Sequence, residues 1–371
     1  MKHSIVSLLW QQSAVTRQFD TAVCLHGHTM HSEECLSFLP TYLSKVPGIA
    51  QIVGGYQRGP QPAVDFARAF WTPPLAPACA MDLERRQIAD LGLRPIVSLT
   101  DHDNIEAGID LQLTQGEEDI PLSVEWTVPY EQSILHLGIH NLPRGNARSW
   151  MSTMAAYTAS PNEAVLPDIL SELARIPGLL IVLNHPFWLE EGVTEAQHQP
   201  ALSNAIRRCN TWFHAFELNG TRRWNENRAV LELAREWSRP VISGGDRHAC
   251  EPSACLNLTN ARSFDDFAEE IRNGHSSVAF MKHYREPMPV RVTETIWDIV
   301  RNYPQYAGRE CWTDRVFYRG EDGTARPLSL VWKDRVPWFI HPVRGMLQLS
   351  AMPGMRVTLR YLLARQAEVL E

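Results

Sequence analysis

The sequence predicts an α/β fold, a barrel of parallel strands followed by a C-terminal extension, and three observations carry that expectation. Short apolar runs alternate with segments of helical periodicity. The residues able to do chemistry follow those apolar runs. A chain of 371 residues with 44% hydrophobic composition can bury a large core and exceeds a typical single domain.

The first strand-like run, Ala22-Val23-Cys24, leads into Leu25-His26-Gly27-His28-Thr29. On an extended strand positions i and i+2 face one way, so His26 and His28 would converge and could share a metal. Between Pro40 and Pro77 the chain is rich in proline and glycine, with Tyr56, Phe66, Phe70 and Trp71 interspersed, which suggests a lid or pocket wall. Met81 to Leu91 puts Leu83, Ile88 and Leu91 on one helical face and stops at Gly92. The strand-like Ile96 to Leu99 follows and ends in Thr100-Asp101-His102-Asp103-Asn104. Two further runs carry Val124-Glu125-Trp126 and Leu135-His136-Leu137-Gly138.

Asn162 to Arg175 spaces Leu166, Ile169, Leu170 and Leu173 as one helix face, and Pro177-Gly178 ends it before the run Leu179 to Leu183. That run leads into Asn184-His185-Pro186. His214 to Phe216 precedes Glu217-Leu218-Asn219-Gly220-Thr221-Arg222-Arg223. The helix-like Glu226 to Trp237 precedes Pro240 to Ser243 and then Gly244-Gly245-Asp246-Arg247-His248. Ser263 caps a helix that turns Phe264, Phe267 and Ile271 inward, with Gly274 beyond its end. From about Glu286 the alternation stops: a helix-like Thr293 to Arg301, a hairpin turn at Asp322-Gly323, and Trp332 and Trp338 in apolar surroundings. This extension is a candidate cover for the barrel or a homodimer surface.

Composition excludes several classes. A net charge of −7 with few lysines argues against duplex nucleic acid, which needs a basic stripe. Seven scattered cysteines form no Cys-x-x-Cys pair, so neither a disulfide framework nor a structural zinc site is indicated. No run approaches membrane-spanning length, and a cytoplasmic protein is expected.

Taken singly, each histidine would be read as an ordinary hydrogen-bonded residue. Together, nine His, Glu and Asp residues at strand ends would cost too much to bury unpaired, whereas divalent cations satisfy such groups jointly. Mixed imidazole and carboxylate ligands suit manganese, iron or zinc.

This ordered set resembles the polymerase and histidinol phosphatase (PHP) family of metal-dependent phosphoesterases, over roughly residues 22 to 280. The likeness lies in His26-Gly27-His28-Thr29-Met30-His31-Ser32-Glu33, Thr100 to Asn104, Glu125, His136, Asn184-His185-Pro186 and Gly245-Asp246-Arg247-His248. It implies a distorted TIM-like barrel of seven strand and helix units and a cluster of two or three metals. It further implies that His26, His28, Glu125 and Asp246 hold one metal, that Glu125 bridges to a second on His136 and His185, and that a third sits on Glu33, His102 and His248. The domains expected are an N-terminal segment 1–21, the barrel 22–285 with an insertion near 40–80, and the extension 286–371. Glu33 stands where the small phosphoesterases of the family usually have aspartate, with Glu34 and His31 as local substitutes. His31, His140 and His214 lie off the family positions.

The chemistry implied is phosphoester hydrolysis by water activated between adjacent divalent ions. Asp101 and Asp103 flank His102 and are candidates to orient ligands or to protonate the leaving oxygen. Arg222, Arg223, Arg247 and Asn219 are candidates to meet the phosphate of a small phosphorylated substrate or short nucleotide. Two alternatives stand beside this. An amidohydrolase-type enzyme often bridges its metals with a lysine carbamate, but lysines occur only at positions 2, 45, 282 and 333, none at a strand end. A non-catalytic metal-binding module would show lost ligands.

Overall fold

The computed structural model describes residues 3–37, 39, 65–116, 119–333, 336, 340–352, 354–355 and 357–358. Two compact units are present: residues 1–32 with 76–285, and residues 33–75 with 286–369. Most of the Pro40 to Pro77 segment, Tyr56 included, lies outside the described residues, as does Trp338.

The first unit is built on strands β1 (His3–Leu8), β2 (Thr21–Cys24), β3 (Arg94–Val97), β4 (Val124–Tyr130), β5 (Ser133–His140), β6 (Leu180–Asn184), β7 (Ala215–Asn219), β8 (Val241–Gly244), β9 (Cys255–Thr259) and β10 (His275–Phe280). They form two five-stranded sheets, in the orders β1-β10-β9-β2-β3 and β8-β7-β6-β5-β4. In the first, β9 runs antiparallel to both neighbours while β1 and β10, and β2 and β3, are parallel. In the second, β8, β7 and β6 are parallel and β5 is antiparallel to both β6 and β4.

The unit is therefore mixed α/β, and no closed barrel is present among the described residues, in contrast to the seven-unit barrel expected. One departure from parallel order is local. Only Glu131 and Gln132 separate β4 from β5, with Glu131 in the left-handed region at φ 52. Two residues can reverse a chain into a hairpin but cannot carry a crossover to a parallel neighbour. The two sheets are instead stitched by isolated bridges, Gly27 with Arg247 and His102 with Glu125.

Alternation along the strands of the second sheet sorts side chains onto two faces. Val124, Trp126, Val128, Leu135, Leu137, Ile139, Ile181, Leu183, Phe216 and Leu218 enter one apolar core. The opposite face carries Leu180, Val182 and Ala215 into a second core with Val23, Leu25 and the helix Phe264–Arg272. Glu125, His136, Asn184, Glu217 and Asn219 share the parity of that second face and are buried. Helices observed at Pro77–Asp90, Leu166–Ala174, Trp224–Glu236 and Phe264–Arg272 overlap the periodic segments of the sequence. Ser263 Oγ caps the last by accepting from Asp266 N at 3.1 Å.

The second unit holds a four-stranded antiparallel sheet of Ala325–Pro327, Val316–Arg319, Ala69–Trp71 and Glu34–Cys35. Asp322 and Gly323 form the turn between its first two strands in that order, with Gly323 at φ 74. Trp71, Ile299, Trp312 and Val316 supply its core. Among the described residues no helix is long and apolar enough to cross a membrane.

Candidate metal centre

Strand β2 ends at Cys24, and His26 takes φ 63, so the two histidines do not converge by strand alternation as the spacing suggested. They converge through a turn. His185 and Asp246 also adopt positive φ, 24 and 49. Such conformations cost on the order of 1–3 kcal/mol each and persist where the surroundings over-determine them. Here Asp246 N donates to His26 O at 2.6 Å, and His185 N donates to Glu217 Oε2 at 2.8 Å.

Glu125 lies at the centre, with no exposed surface. Its Oε2 stands 2.8 Å from His26 Nε2, 3.4 Å from His28 Nε2 and 3.4 Å from His102 Nδ1. Its Oε1 stands 2.9 Å from His185 Nε2 and 3.7 Å from His136 Nδ1, and accepts from Asn184 Nδ2 at 3.0 Å. Asp246 Oδ1 completes the first group, 3.6 Å from His26 Nε2 and 3.5 Å from His28 Nε2. The rings of His102 and His248 stack on His28, with centroids 4.8 and 4.2 Å away.

These buried groups could hold metal ions. His26, His28 and Asp246 each offer a donor atom within 4.8 Å of the others, and so do Glu125, His136 and His185. A third set, His28, His102 and His248, meets the same criterion. Donors of nitrogen and carboxylate oxygen without thiolate fit zinc, iron or manganese.

The carboxylates of the cluster call for positive charge. Burial opposes a charged His26, yet the Glu125, Glu217 and Asp246 carboxylates outweigh it and hold the imidazole well above the usual histidine range. Burial would raise Glu125, but His26 and His102 facing it keep it well below the ordinary carboxylate value. Asp246 is likewise held low against its burial, by His248 and His26. His136 goes the other way: burial, aided by His185 and His102, brings it down to about 4, leaving a neutral ring whose nitrogen can ligate at neutral pH.

Not every expected residue joins the cluster. Glu33 is half exposed, forms an ion pair with Arg319, and belongs to none of the metal-capable sets among the described residues, so its expected place as the third carboxylate finds no support. His31 Nε2 lies 3.2 Å from Asp110. Asp101 accepts from Thr29 N at 2.5 Å and Thr29 Oγ1 at 2.7 Å, fixing the turn that carries His28. Asp103, at φ 49, accepts from Thr127 N at 2.9 Å. Asn219 is buried, its Nδ2 donating to Glu217 at 3.0 Å and Asp246 at 3.1 Å, so its amide is taken up by the cluster's carboxylates.

Arg222 reaches the cluster: Nη2 lies 3.2 Å from Asp246 Oδ2, and the guanidinium sits 3.7 Å from the Trp188 ring centroid. Arg223 is exposed at the start of the helix Trp224–Glu236. Arg247 is buried and bonded to Glu84, which corrects the expectation that it meets phosphate. His140 is buried against Ser98, and His214 Nδ1 accepts from Ile181 N at 2.8 Å.

Glu217 is the residue the sequence reading passed over as a ligand-side group. Its Oε1 lies 2.5 Å from His26 Nδ1, and with His26 and His185 it forms a fourth metal-capable set. The close fit depends on Gly244, where a Cβ would stand 1.5 Å from Glu217 Oε1. A glutamate inside an apolar strand run, as at Glu125, was the available signal.

No protein-family model and no curated protein matches the chain. Solved structures do. PsfC from Pseudomonas syringae PB-5123 aligns at 12% identity and TM-score 0.41, covering 74% of this chain and 97% of its own. A proposed metal-dependent phosphoesterase from Bifidobacterium adolescentis aligns at 15% identity and TM-score 0.32, covering 54% and 91%. An amidohydrolase from Chromobacterium violaceum, with bound sulfate and no metal, aligns at 14% identity and TM-score 0.34, covering 61% and 87%. Likeness at these levels does not decide this chain's chemistry, which rests on its own residues.

Proposed function

We propose that the protein is a metal-dependent hydrolase of phosphoester bonds in small molecules or short nucleotides. The observation that carries this reading is the division of Glu125 between two imidazole groups, Oε2 toward His26 and His28, Oε1 toward His136 and His185. A carboxylate so placed suits a bridge between two cations. His26, His28 and Asp246 would hold one and His136 and His185 the other, with His102 and His248 left for a third. Divalent ions bound there would activate water and offset charge on the phosphoryl oxygens.

The remaining roles fall to this chain's own groups. Arg222, over the Trp188 ring and beside Asp246, is placed to pair with a phosphate oxygen. Glu217 accepts from His26 Nδ1 and so turns Nε2 toward Glu125. Thr221 Oγ1 donates to Asp246 Oδ2 at 2.7 Å and leaves Oδ1 for the cluster. Among the described residues an amidohydrolase-type lysine bridge finds no support: Lys282 lies in the short Lys282–Arg285 turn and Lys333 follows the helix Leu328–Trp332, while Lys2 and Lys45 lie outside the described residues.

The test is a panel of phosphate mono- and diesters, with amide substrates alongside, offered to protein loaded with manganese, iron or zinc. Turnover of phosphoesters, lost on chelation, is expected. Metal-dependent turnover of amides alone would reverse the assignment.

A further inference from the structure

Arg247 sits between the two turns that carry most of the candidate ligands. Its Nε donates to Glu84 Oε1 at 2.8 Å, Nη1 to Ala249 O at 2.8 Å and Nη2 to His28 O at 3.1 Å. Glu84, on the helix Pro77–Asp90 and fully buried, also accepts from Ser253 N at 3.1 Å and Ser253 Oγ at 3.0 Å. One turn along that helix, Gln87 Nε2 donates to Ser253 O at 2.9 Å. Gly27 lies against the guanidinium, where a Cβ would stand 3.3 Å from Nη2.

A buried ion pair is a weak source of net stability, because desolvating both charges offsets their attraction. What this one supplies is position. The guanidinium fork joins three pieces: the helix, the turn bearing His26 and His28, and the segment bearing Asp246 and His248.

We propose that the Glu84–Arg247 pair is a positioning device for the metal centre. It fixes the His26-Gly27-His28 turn against the Asp246-Arg247-His248 turn, so that His28 Nε2 and Asp246 Oδ1 stand 3.5 Å apart. The inference rests on the reading that the cluster binds metal, and not on which bond the enzyme cleaves.

The experiment compares wild type, Arg247→Lys and the paired Glu84→Met/Arg247→Met variant. Zinc and manganese affinities are measured by chelator competition, and absorption spectra are taken with cobalt. The paired variant leaves no unpaired buried charge, and Arg247→Lys keeps the charge while losing the fork. Both should bind metal about 10- to 100-fold more weakly, with a shifted cobalt spectrum, as outer supports of metal sites do when removed. Leu173→Ala, which loosens the core on the sheet face opposite the ligands, should leave affinity and spectrum unchanged. Wild-type affinity and spectrum in either folded variant would overturn the proposal, and so would the same loss in Leu173→Ala. Wild type that binds none of the three metals would bring down the metal reading first, and this inference with it.

Discussion

Glu217 holds Nδ1 of His26 at 2.5 Å, and this turns Nε2 of the same ring toward Glu125 at 2.8 Å and Asp246 at 3.6 Å. The carboxylate thereby selects which nitrogen is offered to a cation. Glu217→Gln should weaken metal binding by about 10- to 100-fold, with the fold retained. Isothermal titration with zinc checks this, and unchanged affinity would mean that Glu217 does not orient the ring.

Glu125 and Glu33 should behave differently. Glu125→Ala removes the atom pair shared by both imidazole groups and should abolish turnover and lower metal content. Glu33→Ala loses an exposed ion pair with Arg319, a kind worth about 0–1 kcal/mol, and should retain metal and activity. Elemental analysis and kinetics on the two variants decide; equal losses would contradict the ordering.

Arg222→Ala should reduce kcat/KM for a phosphoester by roughly ten- to hundredfold, the value of a charge-assisted hydrogen bond at about 1.5–3 kcal/mol. Metal content should hold, because Asn219 and Thr221 still bond Asp246 Oδ2. Arg222→Lys should rescue only partly, and exposed Arg223→Ala should have no effect. Steady-state kinetics with metal analysis distinguishes these outcomes.

His140 gives a pH dependence that can be read in metal-free protein. Burial lowers it from 6.5 to about 3, so between those values the unfolded chain binds a proton that the folded chain does not. Stability from this group is present above pH 6.5 and is lost as pH falls toward 3. Going from pH 7 to 5 should cost about 2 kcal/mol through His140 alone. His140→Gln should flatten the urea-unfolding profile over that interval by this amount, and an unchanged profile would contradict the assignment.

Much of the buried cluster was legible because its candidate ligands punctuate apolar runs. His26, His28, His102, His185, Asp246 and His248 all follow strands, and Glu125 and His136 interrupt them at the parity opposite to Val124, Trp126, Leu135 and Leu137. Two of the misreadings have local causes. The left-handed backbone at His26 is invisible in a His-x-His pattern, so the right convergence was expected for the wrong reason. The two-residue turn at Glu131-Gln132 makes a hairpin where alternation suggested parallel strands. Glu33 and Arg247 found partners far along the chain, Arg319 and Glu84, which no spacing rule reveals.

The central claim is that one chain carries a multinuclear metal centre organised by Glu125. Elemental analysis of chelator-stripped protein, reconstituted with manganese, iron or zinc and freed of excess, tests it directly. The account predicts at least two ions per chain, as the donors on the two sides of Glu125 exceed what one ion can use. A stoichiometry that stays at or below one with every metal would contradict it.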